Sequence, residues 1–450
     1  MNRLIFREYD IRGVADRDLT DEVVENIGRA YGTFLVRRGK KRVAIGRDCR
    51  LSSDRLHAAL SAGMLSTGLQ LVDMGIGPTP LLYFTVFHKD LDGGIQITGS
   101  HNPPGDNGFK MMCGKDTLAG DEIRELRTLI EQHDFEQKSG GTIDRYDPTP
   151  AYCGYMRGNV RLKRTDLRFA VDAGNGAGGP LALAAMHAVG LSPIPMYCEM
   201  DGRFPNHHPD PSELHNVAEL AARVQNEKLD VGIAYDGDAD RLGVIDERGE
   251  VLWGDKLMIL LSRDILSRHP GAAILGEVKC SQTLYDDIGK RGGRPIVWKT
   301  GHSLIKKKMK QEQALLAGEM SGHLFFADRY FGYDDAIYAS LRLLEIISGL
   351  DRPISSLLSD VPPTFSTPEI RVDCADEVKF QVVERVLAHF RSSHQVLDVD
   401  GARVTFGTGW GLVRASNTQP VLVLRFEAQT QAQLAAIREE VESVVANAQG

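Results

Sequence analysis

The sequence predicts an α/β protein with three similar α/β domains that contain mixed sheets, followed by a smaller α+β domain. The chain has 450 residues, and at roughly 150 residues per domain this length favours at least three domains. Short β-rich runs alternate with amphipathic stretches as far as about residue 364, which is typical of βαβ units. Beyond that point several strands are accompanied by two helices, which indicates an α+β arrangement.

The first predicted domain covers residues 1–147. Its β-rich runs are RVAIGRD, QLVDMG and GGIQIT, and its helices begin near Ser53, Pro78 and Asp121. The polar, glycine-bearing stretch QKSGGTIDRYDPTP then marks a boundary near residue 148. The last helix carries one apolar stripe, formed by Ile123, Leu126, Leu129 and Ile130.

Two further domains of the same kind are predicted for residues 148–250 and 251–364. The second contains the runs FAVDA, PIPMY, VGIAY and LGVID, the helix PLALAAMHAV and another helix from Ser212. The third contains the runs AAILGEV, PIVWKT and ALLAGEM between the helices GDKLMILLSRDIL and DDAIYASLRLLEII. The fourth domain, residues 365–450, has the strand EIRVD, a helix from about Asp376, the strands QVLDVDG, WGLVRAS and PVLVLRFEA, and a final helix from about Gln431.

Charge and composition exclude several classes of partner. The formal net charge is -8 at pH 7, so no global positive field attracts nucleic acid or an anionic membrane. The six cysteines form no C-x-x-C pair, and no apolar run approaches the roughly 20 residues of a membrane span. We therefore expect a cytoplasmic protein that binds small molecules and neither nucleic acid nor membranes. A solvated helix face is predicted for the one basic cluster, Lys306, Lys307, Lys308 and Lys310.

A loop rich in glycine and proline follows the run GGIQIT and carries Ser100, His101 and Asn102. Parallel strands deliver reactive residues at their carboxyl ends. A serine hydroxyl is a weak nucleophile by itself, so it needs a metal ion, a base or cations beside it to accept and release phosphate. On composition alone the segment also fits an ordinary Ser-Asn-Pro turn.

Three aspartates, Asp236, Asp238 and Asp240, alternate with other residues between the runs VGIAY and LGVID. Carboxylates this close repel one another unless a cation compensates them, so the pattern predicts a hard metal ion rather than a solvated turn. An EF-hand is excluded, because its sixth position is Arg241 instead of glycine and β-runs replace both flanking helices.

Two later loops carry clustered polar side chains. Glu319, Ser321 and His323 occur on alternate residues, so in an extended segment they would face the same way and could bind sugar hydroxyls. The loop between the last two strands combines an arginine with hydroxyls and an amide, which fits either a phosphate cradle or an ordinary hairpin. Its polar residues are Arg414, Ser416, Asn417 and Thr418.

These loops resemble the motifs of the α-D-phosphohexomutase family and follow one another in the order of that family. The matching segments are GSHNPPGDNGFK, DGDADR, GEMSGH and GLVRASNTQPVLVLRFEA, with smaller matches in FREYDIRG, EVKCS and WKTGHSLIK. The resemblance therefore covers the chain from residue 6 to residue 420. The methionine of GEMSGH is the form typical of the phosphomannomutase/phosphoglucomutase branch.

The resemblance implies a mutase that interconverts 1-phospho and 6-phospho hexoses of mannose and glucose through a phosphoserine and a hexose 1,6-bisphosphate, which is also the activator. Ser100 then carries the phosphoryl group, His101, Lys110 and Arg241 assist it, and the general acid or base is His323 or Lys110. Mg²⁺ is held by phosphorylated Ser100 with Asp236, Asp238 and Asp240. Sugar phosphates are bound by Tyr9, Arg12, Lys279, Gly301, His302, Glu319, Ser321, His323, Arg414, Ser416, Asn417 and Thr418. A monomer or a homodimer is expected.

Three other functions are compatible with parts of the sequence. The nearest is a phosphoglucosamine mutase. A noncatalytic sugar-phosphate sensor would keep the binding loops, but it would not need a phosphoryl acceptor. A nucleotide-binding oxidoreductase is indicated by the spacing of Gly174, Gly176 and Gly179, yet Glu199, the nearest acidic residue in the required region, lies 25 positions beyond Gly174 instead of about 20.

Overall fold

The computed structural model describes residues 1–417 and 419–449, and it contains four units that are each built on one sheet. In the first unit, β2, β3, β4 and β7 run parallel, while β5 joins β4 antiparallel and pairs with β1 and β6 at the edge. The elements are β1 (Ile11–Val14), α1 (Asp21–Arg37), β2 (Arg42–Arg47), α2 (Ser53–Leu65), β3 (Gln70–Ile76), α3 (Thr79–His88), β4 (Gly93–Ile97), β5 (Asp106–Cys113), β6 (Asp116–Thr117), α4 (Asp121–Glu131) and β7 (Thr142–Arg145).

The second and third units repeat this plan, with parallel central strands and antiparallel strands at one edge. The second contains α5 (Thr149–Asn159), β8 (Phe169–Asp172), α6 (Gly179–Ala188), β9 (Ile194–Met196), α7 (Ala218–Glu227), β10 (Val231–Tyr235), β11 (Leu242–Ile245) and β12 (Val251–Leu252). The third contains α8 (Gly254–Arg268), β13 (Ala273–Glu277), α9 (Gln282–Lys290), β14 (Arg294–Trp298), α10 (His302–Glu312), β15 (Leu316–Gly318), β16 (Leu324–Phe326) and α11 (Ala336–Ser348).

The fourth unit is an antiparallel sheet covered by two helices. Its elements are β17 (Phe365–Ser366), β18 (Ile370–Asp373), α12 (Lys379–Arg391), β19 (Gln395–Leu397), β20 (Ala402–Phe406), β21 (Gly409–Ala415), β22 (Val421–Ala428) and α13 (Gln431–Gln449). The predicted fold class, three α/β units with mixed sheets followed by a smaller α+β unit, is therefore confirmed.

Some predicted elements differ in detail. The helix expected from Ser212 begins at Ala218, because Ser212 instead donates its N–H and hydroxyl to Asp210 Oδ1 and a short 3₁₀ turn follows at Leu214–Asn216. The helix α1 and the strand β20 are absent from the sequence prediction. Thr20 caps α1 by accepting a hydrogen bond from Val23 N–H, a signal that was present in the sequence.

The first three units share an apolar core, whereas the fourth has a core of its own. The largest buried cluster includes Phe84 of α3, Phe169 of β8 and Ile259 of α8, while the fourth unit packs separately between its sheet, α12 and α13. A small cluster around Val278 and Trp410 joins the third unit to the fourth. The fourth unit can therefore move at a smaller cost in buried apolar surface than the other three.

None of the helices in residues 1–417 and 419–449 combines the length and apolar character needed to span a bilayer.

Candidate active site

The loop after β4 holds Ser100 in a strained backbone conformation. Its φ angle is 49°, in the left-handed region that residues other than glycine seldom adopt. The Ser100 N–H donates to Thr98 Oγ1 at 2.9 Å, and the hydroxyl donates to Asp236 Oδ2 at 2.8 Å. Ser100 is only 4% exposed. The local geometry therefore aims the serine hydroxyl at the aspartate loop of the second unit.

The Ser100 loop is held in shape by Arg50, which the sequence analysis did not single out. Its guanidinium donates to the carbonyl oxygens of Ser100 and Asn102, both at 2.7 Å, and to those of Pro103 and Asp106. Charge-assisted hydrogen bonds of this kind are about twice as strong as neutral ones. One buried cation thus fixes four carbonyl groups of a loop that has no regular structure of its own.

The neighbour of Ser100, His101, presents a neutral imidazole. His101 Nδ1 lies 3.1 Å from Ser100 Oγ, and the His101 carbonyl accepts a hydrogen bond from His208 Nε2. Burial, together with the charges of Arg241 and Arg12, holds the pKa of His101 well below its ordinary value. The ring can therefore hydrogen-bond Ser100 without adding positive charge to the site.

The three predicted metal ligands, Asp236, Asp238 and Asp240, lie in the turn between β10 and β11. All three are completely buried. Each offers a carboxylate oxygen, and these oxygens lie within 4.8 Å of one another. Asp236 Oδ1 accepts hydrogen bonds from the backbone N–H groups of Asp240 and Arg241, both at 3.1 Å. The turn itself therefore orients the first carboxylate.

Two groups of the first unit anchor this turn. Lys110 on β5 donates to Asp238 Oδ2 at 2.7 Å and also to Asp240 Oδ2. Thr79, at the start of α3, donates its hydroxyl to Asp238 Oδ2 and its N–H to the Asp238 carbonyl. Burial alone would raise the pKa of Asp238, but Lys110 and Thr79 lower it. Burial and the neighbouring carboxylates raise the pKa values of Asp236 and Asp240.

The carboxylate cluster fits a hard divalent cation. Asp238 Oδ1 and Asp240 Oδ1 are buried, and no residue within 1–417 or 419–449 gives either of them a hydrogen bond. An unpaired buried carboxylate oxygen is costly unless a cation compensates it. The three aspartate side chains offer only oxygen atoms as metal ligands, and oxygen is the ligand type that Mg²⁺ prefers. The acidic turn can therefore bind a metal ion.

Arg241 and His323 lie beside Asp240 at the edge of the cluster. The two residues pair through an isolated β-bridge, and Arg241 Nε donates to His323 Nε2 at 3.1 Å. The other ring nitrogen, His323 Nδ1, lies 3.6 Å from Asp240 Oδ1 and 3.1 Å from Asp334 Oδ2. Both predicted residues therefore contact the site, together with Asp334, which was not predicted.

The polar loop at residues 319–323 is a tight turn and not the extended segment that the alternate spacing predicts. Glu319 N–H donates to the His323 carbonyl at 2.9 Å, and Gly322 N–H donates to the Glu319 carbonyl at 3.1 Å. Gly322 has a φ angle of 96°, which permits this reversal. Ser321 Oγ lies 3.4 Å from Glu319 Oε2, and His323 Nε2 lies 3.9 Å from the same oxygen. The side chains converge because the chain turns back.

Tyr9 joins three of the four units at the site. Its hydroxyl donates to the Thr300 carbonyl at 2.9 Å and accepts a hydrogen bond from Asn417 Nδ2 at 2.7 Å. The next residue after Thr300, Gly301, donates its N–H to Glu319 Oε1 at 2.6 Å. A Cβ atom at Gly301 would lie 2.5 Å from the Tyr9 ring, and φ is 124°, so only glycine fits.

His302 and Arg12 line the same region. The His302 ring stacks on His323 with 5.9 Å between centroids and meets the Tyr9 ring edge-on at 6.1 Å. Arg12 donates through Nε to both oxygens of Asp10 at 3.0 Å. Aromatic contacts therefore connect the aspartate cluster, through His323 and His302, to the N-terminal segment.

The two remaining predicted basic residues lie where the third and fourth units meet. Lys279 Nζ is 3.0 Å from Glu369 Oε1, and Arg414 Nε donates to Asp400 Oδ2 at 2.9 Å. Both side chains are nearly buried, with 7% of each exposed. Glu277 Oε1 also lies 3.8 Å from Lys279 Nζ, so carboxylates hold both cations at the junction between the units.

The rest of the predicted phosphate-binding loop directly follows β21. Ser416 N–H donates to the Val421 carbonyl at 3.0 Å, and Ser416 Oγ accepts from Gln419 N–H at 3.1 Å. Asn417 contacts Tyr9 as described above. Thr418, which was also predicted to bind substrate, lies outside the described residues.

Two basic residues contradict the predicted solvated face of α10, because Lys308, like Lys306, is largely buried and lies over the Trp298 ring. Lys306 leaves only 11% of its side chain exposed, donates to Asp334 Oδ1 at 3.0 Å and lies over the Tyr83 ring. It turns inward beside the buried Ile305 of the same helix. Arg50, Thr79 and Asp334 were also missed, because each acts on a partner far away in the sequence.

Comparisons with known protein families give the same family in every part of the chain. Models of phosphoglucomutase/phosphomannomutase match in four parts: alpha/beta/alpha domain I at residues 3–137, domain II at 150–249, domain III at 253–365 and the C-terminal domain at 369–444. These four segments together cover most of the chain.

Individual relatives match over nearly their whole length. The phosphomannomutase/phosphoglucomutase of Pseudomonas aeruginosa is 46% identical, over 96% of this chain and 94% of that protein. The phosphoglucomutase of Neisseria gonorrhoeae is 43% identical, over 99% and 97%. A crystal structure of a phosphoglucomutase/phosphomannomutase family protein from Burkholderia thailandensis superposes with a TM-score of 0.94 at 40% identity, over 100% and 98%. With the serine loop, the acidic turn and the four units all in place, this chain belongs to the phosphoglucomutase/phosphomannomutase family.

Proposed function

We propose that this enzyme interconverts the 1-phospho and 6-phospho forms of mannose and glucose through phosphorylated Ser100 and a hexose 1,6-bisphosphate. The observation that carries the proposal is the 2.8 Å hydrogen bond from Ser100 Oγ to Asp236 Oδ2, which puts the nucleophile directly on the acidic turn. A noncatalytic sensor of sugar phosphates would have no use for a hydroxyl strained into this position.

In the proposed reaction the phosphoryl group passes from Ser100 to the free hydroxyl of a hexose monophosphate. The Oγ–P bond breaks, a P–O bond to the sugar forms, and the hydroxyl proton moves to a base on the protein. The bisphosphate then turns end for end and returns its other phosphoryl group to Ser100. No phosphate is lost to water, and added hexose 1,6-bisphosphate phosphorylates any free Ser100 and so acts as the activator.

Asp236, Asp238 and Asp240 would hold Mg²⁺ together with an oxygen of the phosphorylated serine. When bound, the ion supplies positive charge that stabilises the phosphoryl oxygens. Lys110 contributes a further positive charge from β5, and Arg241 contributes one from beside His323. Phosphoryl transfer depends mainly on positioning and electrostatic stabilisation, which these residues provide.

Of the two candidates for the general base, His323 fits better than Lys110. Burial alone would lower the pKa of Lys110, but Asp238 and Asp240 hold it well above its ordinary value. The ammonium group therefore keeps its proton. His323 Nε2 instead faces Arg241 Nε and Glu319 Oε2, at the edge of the sugar-binding turn.

The sugar would be recognised through its 3- and 4-hydroxyls by Glu319 and Ser321. A bisphosphate that binds in two orientations exchanges C1 and C6, so contacts must work in both orientations. The 3- and 4-hydroxyls lie near the axis that relates the two orientations, whereas the 2-hydroxyl changes sides. We therefore expect comparable kcat/KM for glucose and mannose phosphates and strong discrimination against galactose 1-phosphate, whose 4-hydroxyl is inverted.

The non-reacting phosphate would be bound at the junction of the third and fourth units by Lys279 and Arg414, with Ser416, Asn417 and Thr418 beside them. Tyr9 already links Asn417 to Thr300. It would therefore act as a latch, which means that its hydrogen bonds hold the fourth unit closed on the substrate. The domain limits at 147, 250 and 364, the cytoplasm and a monomeric or homodimeric state remain predictions.

The test is phosphorylation of Ser100 followed by transfer. Incubation with glucose 1,6-bisphosphate and Mg²⁺ should add one phosphoryl mass to the protein, and later addition of mannose 1-phosphate should remove it. Ser100→Ala should lose the added mass and lower kcat by more than about 10³-fold. The matched control is Ser61→Ala, because Ser61 is about as buried but lies in α2, outside the site. Near-normal turnover by Ser100→Ala would refute the proposal, and preferred turnover of glucosamine phosphates would favour a phosphoglucosamine mutase.

A further inference from the structure

Asp334 lies beside the His323 ring and has one oxygen that the described part of the chain leaves unused. Asp334 Oδ1 accepts a hydrogen bond from Lys306 Nζ at 3.0 Å. Asp334 Oδ2 is 3.1 Å from His323 Nδ1 and 4.0 Å from His302 Nδ1. Within residues 1–417 and 419–449, neither Asp334 Oδ2 nor His323 Nδ1 makes a hydrogen bond of good geometry, although both are buried. A small rotation of the ring would join them.

Helix capping does not account for the buried Asp334. The cap of α11 is the next residue, Asp335, whose Oδ1 accepts from Tyr338 N–H at 2.8 Å. Burial alone would raise the pKa of Asp334, but Lys306 and His323 hold it well below its ordinary value. The residue is therefore a buried negative charge with one oxygen on a lysine and the other facing an imidazole.

The partner on the opposite side of the ring decides where the proton of a neutral His323 must be. Arg241 Nε–H can only donate, so His323 Nε2, at 3.1 Å, must accept. The ring proton is then on Nδ1, the atom that faces Asp334 Oδ2 at 3.1 Å and, at the longer distance of 3.6 Å, Asp240 Oδ1. Both neighbours thus favour the same tautomer.

We propose that Asp334 is a positioning residue for the mutase reaction, which fixes His323 as the Nδ1–H tautomer and so keeps Nε2, beside the sugar-binding turn, as the unprotonated ring nitrogen. The inference rests on the proposed function, because it assigns the base of that reaction. Lys306 is part of the arrangement, since its bond to Oδ1 prevents the carboxylate from turning away.

The proton balance follows from this tautomer. When Arg241 turns toward a bound phosphoryl group, the sugar hydroxyl takes its place at Nε2. The O–H bond breaks as the P–O bond to the sugar forms, and the proton goes to Nε2. The Ser100 Oγ–P bond breaks with its electron pair staying on Oγ, which remains an oxyanion until it takes the second phosphoryl group back. The resulting imidazolium has Asp334 on its Nδ1 side, and it returns the proton when the phosphoryl group goes back to Ser100.

The first test reads the tautomer directly and does not depend on mutase activity. In protein labelled with ¹⁵N-histidine, a long-range ¹H–¹⁵N spectrum distinguishes protonated from unprotonated ring nitrogens, and the His323→Gln variant assigns the signals. We expect Nδ1 of His323 to be protonated and Nε2 to be unprotonated in the wild-type enzyme. Protonation of Nε2 would overturn the proposal, whether or not the chain proves to be a mutase.

The second test uses Asp334→Asn with Asp335→Asn as its matched control. Lys306 requires an oxygen, so the new amide must turn its NH₂ group toward His323 Nδ1, where it can no longer accept the ring proton. We expect kcat to fall by about 10²- to 10⁴-fold with KM changed less than about threefold. Asp335 is as deeply buried, but its carboxylate accepts from Tyr152, Tyr330 and Tyr338. Asp335→Asn should therefore lower Tm and leave the tautomer and kcat unchanged.

The outcomes of the two tests separate a positioning role from a structural one. A kcat within threefold of wild type for Asp334→Asn, or equal losses in the two variants, would show that Asp334 is merely structural. If Asp334→Asn does not fold, the tautomer measured in the wild-type enzyme still tests the proposal.

Discussion

Gly237 approaches the Ser100 loop so closely that its substitution tests the proposed phosphoryl transfer. A Cβ atom at Gly237 would lie 2.3 Å from the Ser100 carbonyl oxygen and 3.2 Å from its carbonyl carbon. Gly237 is not among the residues with positive φ, so its backbone conformation is open to alanine. Gly237→Ala therefore introduces a steric conflict between two backbone segments and nothing else.

The size of the conflict follows from the contact distance. Ordinary van der Waals contact begins near 3.4 Å, so the loop and the acidic turn must separate by 1.1 Å (3.4 − 2.3). Neither can move easily, because Arg50 holds the Ser100 carbonyl at 2.7 Å and Thr79 and Lys110 hold Asp238. Misplacement by about 1 Å can cost about 10²-fold in rate, and overpacking typically costs about 1–3 kcal/mol of stability. We expect kcat to fall about 100-fold.

The assay is a single-turnover measurement of phosphoryl transfer from phosphorylated enzyme to glucose 1-phosphate, alongside Tm. The matched control is Gly105→Ala in the same loop, where a Cβ atom would meet no heavy atom within 4 Å. The control should transfer at nearly the wild-type rate. If Gly237→Ala transferred within threefold of the control, the spacing between Ser100 and the acidic turn would not limit the reaction, and this argument would be wrong.

Three further predictions concern charge, closure and pH. Lys110→Met should strengthen Mg²⁺ binding at least about tenfold in calorimetry and lower Tm in EDTA, because one positive charge leaves the carboxylates; weaker Mg²⁺ binding would contradict this. Tyr9→Phe should raise KM about 3- to 10-fold with little change in kcat, since it removes hydrogen bonds worth about 0.5–1.5 kcal/mol each to Thr300 and Asn417; an unchanged KM would exclude the latch. Burial raises the pKa of Asp335 from 3.8 to about 6, so the folded state binds this proton more tightly than the unfolded state. The tighter binding stabilises the fold by about 3 kcal/mol below pH 3.8, and this stabilisation is lost as pH rises through 6. The Tm of Asp335→Asn relative to wild type should therefore rise between pH 4 and 6, and a constant difference would contradict the shifted pKa.

The parts of the site that were predictable are those in which one short segment carries the chemistry. Asp236, Asp238 and Asp240 stand within a single turn, so their mutual repulsion and the need for a cation can be inferred from spacing alone. Ser100 follows a buried β-run in a loop of glycines and prolines, which places it at the carboxyl end of a strand. The alternation of β-runs and amphipathic stretches likewise predicted the fold class, because it reflects burial of each element on its own.

The parts that were not predictable depend on contacts between distant segments. Arg50 acts on carbonyl groups about 50 residues later, and Thr79 donates to Asp238 across the boundary between two units. Lys306 was wrongly assigned to a solvated face, because only the packed structure shows that Asp334 lies next to it. The extended geometry predicted for residues 319–323 failed for a similar reason: alternate spacing is compatible with both a strand and a turn, and Gly322 decides for the turn.

Charge balance in the buried cluster explains why a phosphoryl group on Ser100 should be transferable rather than trapped. The three aspartates carry three negative charges, and Lys110 with a divalent cation supplies three positive ones, so this set is balanced before any phosphate is present. A phosphoserine adds about 1.5 to 2 further negative charges, and Arg241, whose Nε donates to His323 Nε2, adds one positive charge beside the turn. Phosphorylation of Ser100 would therefore leave the site with a net charge of about −0.5 to −1, so the phosphoryl group is not trapped by an excess of positive charge. Because the bisphosphate presents an equivalent phosphate after it turns, the same charge balance applies in both directions and leaves the equilibrium between the two monophosphates to the sugars themselves.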